Sequence, residues 1–279
     1  MLPLHGIIPP VVTPMHANED VDLDRLRRVI DRMLAARVHA IFVLGTTGEF
    51  YALDADEKRA IVAAAVAHVA GRVPVIAGTG AESTREVVRL TRMAETEGAD
   101  AVTVITPYFV APSQQELFDH FRIVAESTRL PVVLYTNPMH CGGVRLDVST
   151  VERLAGIPNV IGIKDSAGDL QTLIEYVRVV PERFAVMQGR DTLIAPALAH
   201  GAKGAVPATS NIAPELAVAI YEAHMRGDEA GAQAAQARFS PLRLGLTGTA
   251  PGGIKAAMNR AGWDVGPSRR PIGPHAKSH

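Results

Sequence analysis

Short apolar runs rich in β-branched residues recur along the chain at Gly6 to Val12, Ala40 to Leu44, Pro74 to Ala77, Ala101 to Ile105, Pro131 to Leu134, Val160 to Ile163, Phe184 to Met187 and Gly204 to Val206. Each is bounded by Gly, Pro or polar clusters, and each is separated from the next by a stretch whose apolar residues return at helical spacing. The pattern predicts eight strand-helix units. From Ile7 to Gly204 the chain covers seven intervals of about 28 residues each, close to the spacing of an α/β fold of the (β/α)8 TIM barrel type. A doubly wound open sheet is the competing architecture, but it generally uses fewer strands, so the regularity favours closure.

Three helix starts are expected from capping boxes, Ser83-x-x-Glu86, Ser113-x-x-Glu116 and Ser149-x-x-Glu152, in which side chains satisfy the orphan N–H groups of the first turn. After the eighth strand, Pro214 to Arg226, Glu229 to Leu244 and Gly253 to Ala261 carry helical patterns, more than one closing helix requires. The expected organisation is a barrel over residues 1–226 followed by a small appendage of C-terminal helices and tail over 227–279. The residues from Gly266 to His279, rich in Pro, Arg, His and Ser, are expected to be loosely attached.

Composition narrows the function. The 279 residues include 28 basic and 29 acidic side chains, for a net charge of -1, and no dense Lys/Arg run. That balance gives no electrostatic footprint for nucleic acid or an anionic membrane, and no apolar run approaches a membrane span. The single cysteine, Cys141, excludes an intrachain disulfide. Together with prolines at positions 3, 9 and 10, which interrupt any signal-peptide core, it leads us to expect a reducing, cytoplasmic setting.

In a parallel barrel, chemistry gathers where strands end. Three ends stand out: Gly45-Thr46-Thr47-Gly48-Glu49 after the second run, Tyr135 at the end of the fifth, and Lys164 closing Val160-Ile161-Gly162-Ile163 in the sixth. Only five residues are lysine, and Lys164 alone ends a long apolar run. Desolvation favours the neutral amine, the form that attacks a ketone to make a Schiff base. A structural ion pair with Asp165 or Asp191 is the bland alternative. The Gly45 to Glu49 turn offers two hydroxyls and free backbone N–H groups suited to a carboxylate or phosphate, or it is merely a tight connection whose threonines cap. Tyr135, taken alone, reads as a core aromatic. Gly78-Thr79-Gly80 lacks the third glycine of a dinucleotide fingerprint, no HExxH-type histidine cluster suggests a metal site, and there is no G-x-S-x-G elbow.

These motifs together resemble the dihydrodipicolinate synthase and N-acetylneuraminate lyase family. They are GTTGE at Gly45 to Glu49, Tyr135, and GIKDSAGD at Gly162 to Asp169. The likeness extends from Ile8 to Pro14, through Ala77 to Gly80 and Thr106 to Tyr108, to Gly204 to Val206 and Pro251 to Ala257. It implies a class I lyase, needing no metal or other cofactor, that binds pyruvate or a longer 2-oxo acid. By position, Lys164 is the implied Schiff-base nucleophile, Tyr135 the proton shuttle and Thr46 its relay. Thr47 and Gly48 are implied to hold the carboxylate, Gly189 and Val206 to line the pocket, and Tyr108 and His140 to meet substrate. The family also implies a homotetramer built as a dimer of dimers.

Two departures bear on substrate. Many members carry a tyrosine pair after the fourth strand, where this chain has Tyr108-Phe109. The synthases carry an arginine after the fifth strand, where this chain has His140, a weaker and titratable cation; Arg145 and Arg190 are the nearest replacements by sequence. The leading expectation is therefore an aldolase or dehydratase for a 2-oxo-3-deoxy sugar acid. The synthase itself, condensing pyruvate with aspartate semialdehyde, is the alternative, and a noncatalytic binding paralogue is the third.

Overall fold

The computed structural model describes residues 2–248 and 250–273. All eight expected runs form strands: β1 (Gly6–Ile7), β2 (Ile41–Val43), β3 (Val75–Gly78), β4 (Ala101–Ile105), β5 (Val132–Thr136), β6 (Val160–Asp165), β7 (Ala185–Gln188) and β8 (Gly204–Ala205). They are parallel, and the ladder runs β1-β8-β7-β6-β5-β4-β3-β2. Pro9 and Pro10 cannot donate to a ladder, so β1 is short. The seam between β1 and β2 closes on three backbone bonds instead: His39 N to Ile7 O at 2.9 Å, Phe42 N to Pro9 O at 3.1 Å and Val11 N to Phe42 O at 2.9 Å. The molecule is a (β/α)8 TIM barrel with added C-terminal helices.

Eight helices alternate with the strands: α1 (Leu23–Ala35), α2 (Ala55–Val69), α3 (Thr84–Thr96), α4 (Gln114–Glu126), α5 (Val148–Ala155), α6 (Leu170–Val179), α7 (Ile194–Ala199) and α8 (Pro214–Met225). Two more follow, α9 (Glu229–Leu244) and α10 (Gly252–Arg260). Ser83 and Ser113 cap α3 and α4, each accepting from the N–H three residues on, but only Ser113 and Glu116 complete the expected box, since the Glu86 carboxylate turns to Arg89. Ser149 does not cap: α5 starts two residues earlier than that cap requires, with Asp147 at the cap position and Ser149 inside the first turn. Apolar side chains divide between two clusters. A small one inside the barrel includes Ile8, Phe42, Ile76, Val133, Ile161 and Met187; a larger one fills the space between barrel and helices. That is the division expected of strands buried on both faces.

The C-terminal segment corrects the expectation of a loose tail for the residues described there. Lys255 of α10 is buried, with Nζ 2.5 Å from Glu49 Oε1 and 2.8 Å from the carbonyl of Pro267. Arg269 donates its backbone N–H to Glu49 Oε2 at 2.9 Å and grips both carboxylate oxygens of Glu57 at 2.7 Å. The chain after α10 is thus tied to the turn after β2. Residues 274–279 lie outside the described residues.

Candidate active site

β5 and β6 pair so that Tyr135 and Lys164 are direct neighbours in the ladder. The register shifts where Val132 faces Val160 and Val133 faces Gly162. Ile161 packs inside the barrel whereas Ile163 packs outside it, so the period-2 alternation is broken at Gly162. This irregularity aims Lys164 at the barrel axis. The ammonium nitrogen sits 4.1 Å from the centre of the Tyr135 ring and 5.2 Å from that of Phe42, and the side chain is buried. No carboxylate lies within ion-pair distance of Lys164 among the described residues. Asp191, one of the partners considered above, instead accepts from the N–H of Thr209 at 2.6 Å.

The Tyr135 hydroxyl lies 3.4 Å from Thr46 Oγ1 and accepts a 3.0 Å bond from Asn137 Nδ2. Burial pushes this phenol's pKa up, but the charge of Lys164 and hydrogen bonds from Thr46, Asn137 and Ser166 outweigh it and hold the pKa below its ordinary value. The hydroxyl therefore has an acceptor role, a donor role and a neighbouring amine, the requirements for moving a proton.

Around this pair a cavity of about 370 Å³ is lined by Thr46, Thr47, His140, Gly189 and Val206, together with Tyr135 and Lys164, a size suited to a small organic ligand. At the turn after β2, Thr13 Oγ1 donates to the Gly48 carbonyl at 2.7 Å and Glu49 adopts φ of 58°. The turn is fixed from both sides, by Thr13 and by the Lys255–Glu49 pair. Gly189 is required by close approach: a Cβ there would lie 2.0 Å from Ser166 Oγ.

The structure does not bring every expected residue to the cavity. Gly48 belongs to the turn but not to the wall, and Tyr108 packs its ring edge against Phe50, with centroids 6.0 Å apart, away from the cavity lining. The glycines of Gly78-Thr79-Gly80 serve packing: a Cβ on Gly78 would lie 2.0 Å from Leu44 O, and one on Gly80 would lie 2.4 Å from Ile105 Cγ2. Sequence reasoning missed Asn137, Ser166 and Arg243. The first two lie within two residues of a flagged strand end and could have been found by extending that search. Arg243, on α9, gave no signal. Its Nε is 3.9 Å from Asp191 Oδ2, and Gln236 on the same helix donates to the Asp191 carbonyl at 2.9 Å, so α9 stands at the cavity wall.

The chain matches the family model described as the Dihydrodipicolinate synthetase family over residues 3–279. It belongs to that family. It is 40% identical over 272 residues to an uncharacterized DapA-like lyase of Halobacterium salinarum, covering 97% of this chain and 89% of that protein. It is also 40% identical over 276 residues to a 4-hydroxy-tetrahydrodipicolinate synthase of Azoarcus sp., covering 98% and 94%. Among solved structures, a prophage protein of the dihydrodipicolinic acid synthase family from E. coli K12, in complex with pyruvate, matches with a TM-score of 0.89 at 35% identity, covering 98% of this chain and 91% of that one. Members of the dihydrodipicolinate synthetase family are lyases, and this chain is an enzyme of that class. No helix among the described residues is long and apolar enough to cross a membrane.

Proposed function

We propose that the protein is a Schiff-base lyase that carries pyruvate on Lys164 and joins it to an aldehyde in the manner of 4-hydroxy-tetrahydrodipicolinate synthase. The observation that carries this reading is the juxtaposition of a buried amine, a hydrogen-bonded phenol and a hydroxyl-bearing turn at one cavity. In the proposed sequence, Nζ attacks the ketone carbon while Thr46 and Thr47 of the turn after β2, which line the cavity, hold the carboxylate. Tyr135 protonates the departing hydroxyl, water leaves, and the iminium forms; loss of a C3 proton then gives the enamine that attacks the aldehyde carbon.

The names of the relatives favour the synthase over the sugar-acid aldolase or dehydratase that the sequence led us to expect. That other reading keeps two specific supports, the absence of a phenol at Phe109 and of an arginine at His140. Burial, with the charges of Arg190 and Lys164, lowers the pKa of His140 from its ordinary value, so it enters the cavity as a neutral group near pH 7.

Borohydride reduction in the presence of pyruvate tests the reading. Intact mass should show one stable adduct per chain, mapped to Lys164 and lost in Lys164→Ala. A native protein without an adduct, or an adduct that persists in Lys164→Ala, rejects it.

A further inference from the structure

Three arginines could supply the fixed charge that His140 lacks, and the structure separates them. Arg145 is 67% exposed, has its Nε 3.6 Å from Asp147, and does not line the cavity. Arg243 lines it but leans towards Asp191. Arg190, on the loop after β7, lines it with a guanidinium whose hydrogen bond, 3.3 Å from Nη2, goes to the neutral carbonyl of Ala167. Its backbone N–H is fixed by Gln188 Oε1 at 2.7 Å. Gly168, at φ of 86°, makes room for the side chain, since a Cβ there would lie 3.2 Å from Arg190 Nε. The arginine is therefore held in place without its charge being neutralised by a bonded carboxylate.

Its position relative to the amine is informative. In the barrel order, β7 adjoins β6 whereas β2 lies four strands away, on the opposite side. The turn proposed to hold the 2-oxo acid carboxylate thus faces Lys164 across the barrel, while the Arg190 guanidinium belongs to the wall next to Lys164. A ligand joined to Lys164 would have the turn across the barrel from it and Arg190 beside it, both lining the same cavity.

We propose that Arg190 receives a carboxylate on the second substrate, in place of the loop arginine that His140 replaces. The enzyme is then specific for acidic aldehydes or, in the cleavage direction, for 2-oxo acids ending in a second carboxylate. A planar, permanently charged fork suits this task, and neutral His140 beside it is left to hydrogen-bond. The inference rests on the Schiff-base reading above.

The test is steady-state condensation by the full chain, following pyruvate loss with aspartate semialdehyde as the acidic probe and D-glyceraldehyde as the neutral one. Wild type should show the higher kcat/KM for the acidic probe. Arg190→Gln should raise KM for it about ten- to a hundredfold, as loss of a charged hydrogen bond does, while KM for D-glyceraldehyde stays within about twofold. Arg190→Lys should recover part of the loss. Equal effects on both aldehydes, no effect on either, or a wild-type preference for D-glyceraldehyde overturns the inference. Borohydride trapping on the same samples keeps the two claims apart. No pyruvate adduct in wild type ends the Schiff-base reading, whereas a normal adduct with unchanged KM in Arg190→Gln ends only the role of Arg190.

Discussion

At Tyr135 and Asp165, adjacent strands handle buried acids in opposite ways. The Tyr135 phenol is buried, yet three polar neighbours and the Lys164 charge hold its pKa down. Asp165 follows Lys164 directly, and its strongest influence is burial, which raises its pKa to about 6; the Ala167 N–H and Arg190 pull it down, and Asp169 pushes it up. The folded state therefore holds the Asp165 proton more tightly than the unfolded chain, whose carboxyl titrates near 4. By linkage, this group's contribution is fully present below about pH 4, falls as pH rises towards about 6 and is lost above that. Two pH units correspond to about 2 to 3 kcal/mol. Asp165→Asn keeps the acceptor for the Ala167 N–H, which the structure places at 2.9 Å, and cannot ionise. It should leave urea-unfolding stability near pH 4 almost unchanged and raise it at pH 8. A gain of the same size at both pH values, or a loss at pH 8, would show that burial does not govern this carboxyl. Legibility at this scale is uneven: Lys164 stands out because it ends an apolar run, Tyr135 taken alone reads as a core aromatic and gains a proposed role only from the family resemblance, and Ser166 and Asn137 matter only through the hydroxyl they touch.

At the level of elements, the Glu49–Lys255–Arg269 contacts join α10 and the segment after it to the turn after β2, more than 200 residues earlier in the chain. Lys255 and Glu49 are both essentially without solvent contact, at 2% and 0% side-chain exposure. Burial pushes the Lys255 ammonium pKa down while Glu49 pulls it back up. Such a pair need add little net stability, but removing one member strands a buried charge and costs about 3 to 5 kcal/mol. Lys255→Met should lower urea-unfolding stability by that order, and the double variant with Glu49→Gln should recover much of it. Additive losses in the double variant would mean that the two side chains do not act as a pair. Nothing local in Pro251 to Ala257 or Gly266 to Arg270 signals this contact, because a long-range buried pair leaves no period in the sequence. The bulge at Gly162 was hidden for a related reason. The apolar run marks β6, but which of its residues face inward depends on the register against β5.

For the whole molecule, the eight-unit repeat made the barrel legible because each strand is buried on both faces and each helix on one, so hydrophobic periodicity repeats with the fold. The assembly has no such signature, and our expectation of a homotetramer rests on family resemblance together with one surface. Phe109 is 97% exposed and Val110 69% exposed, and Phe109 holds φ of 77°, a conformation that costs a residue with a Cβ about 1 to 2 kcal/mol. Beside them, Phe50 packs edge-on against both Tyr51 and Tyr108, and Tyr51 is 44% exposed. Strain and exposed aromatic surface in one segment point to a second surface that covers them, and a second copy of this chain fits the family expectation. Light scattering at micromolar concentration should give a multiple of the 29.7 kDa chain mass, four copies for a dimer of dimers. Phe109→Asp should shift the distribution towards smaller species, since burying an unpaired carboxylate at an apolar contact is costly. A native protein that scatters as a single chain would reject the assembly outright. An assembly unchanged by Phe109→Asp would place the contact on another face.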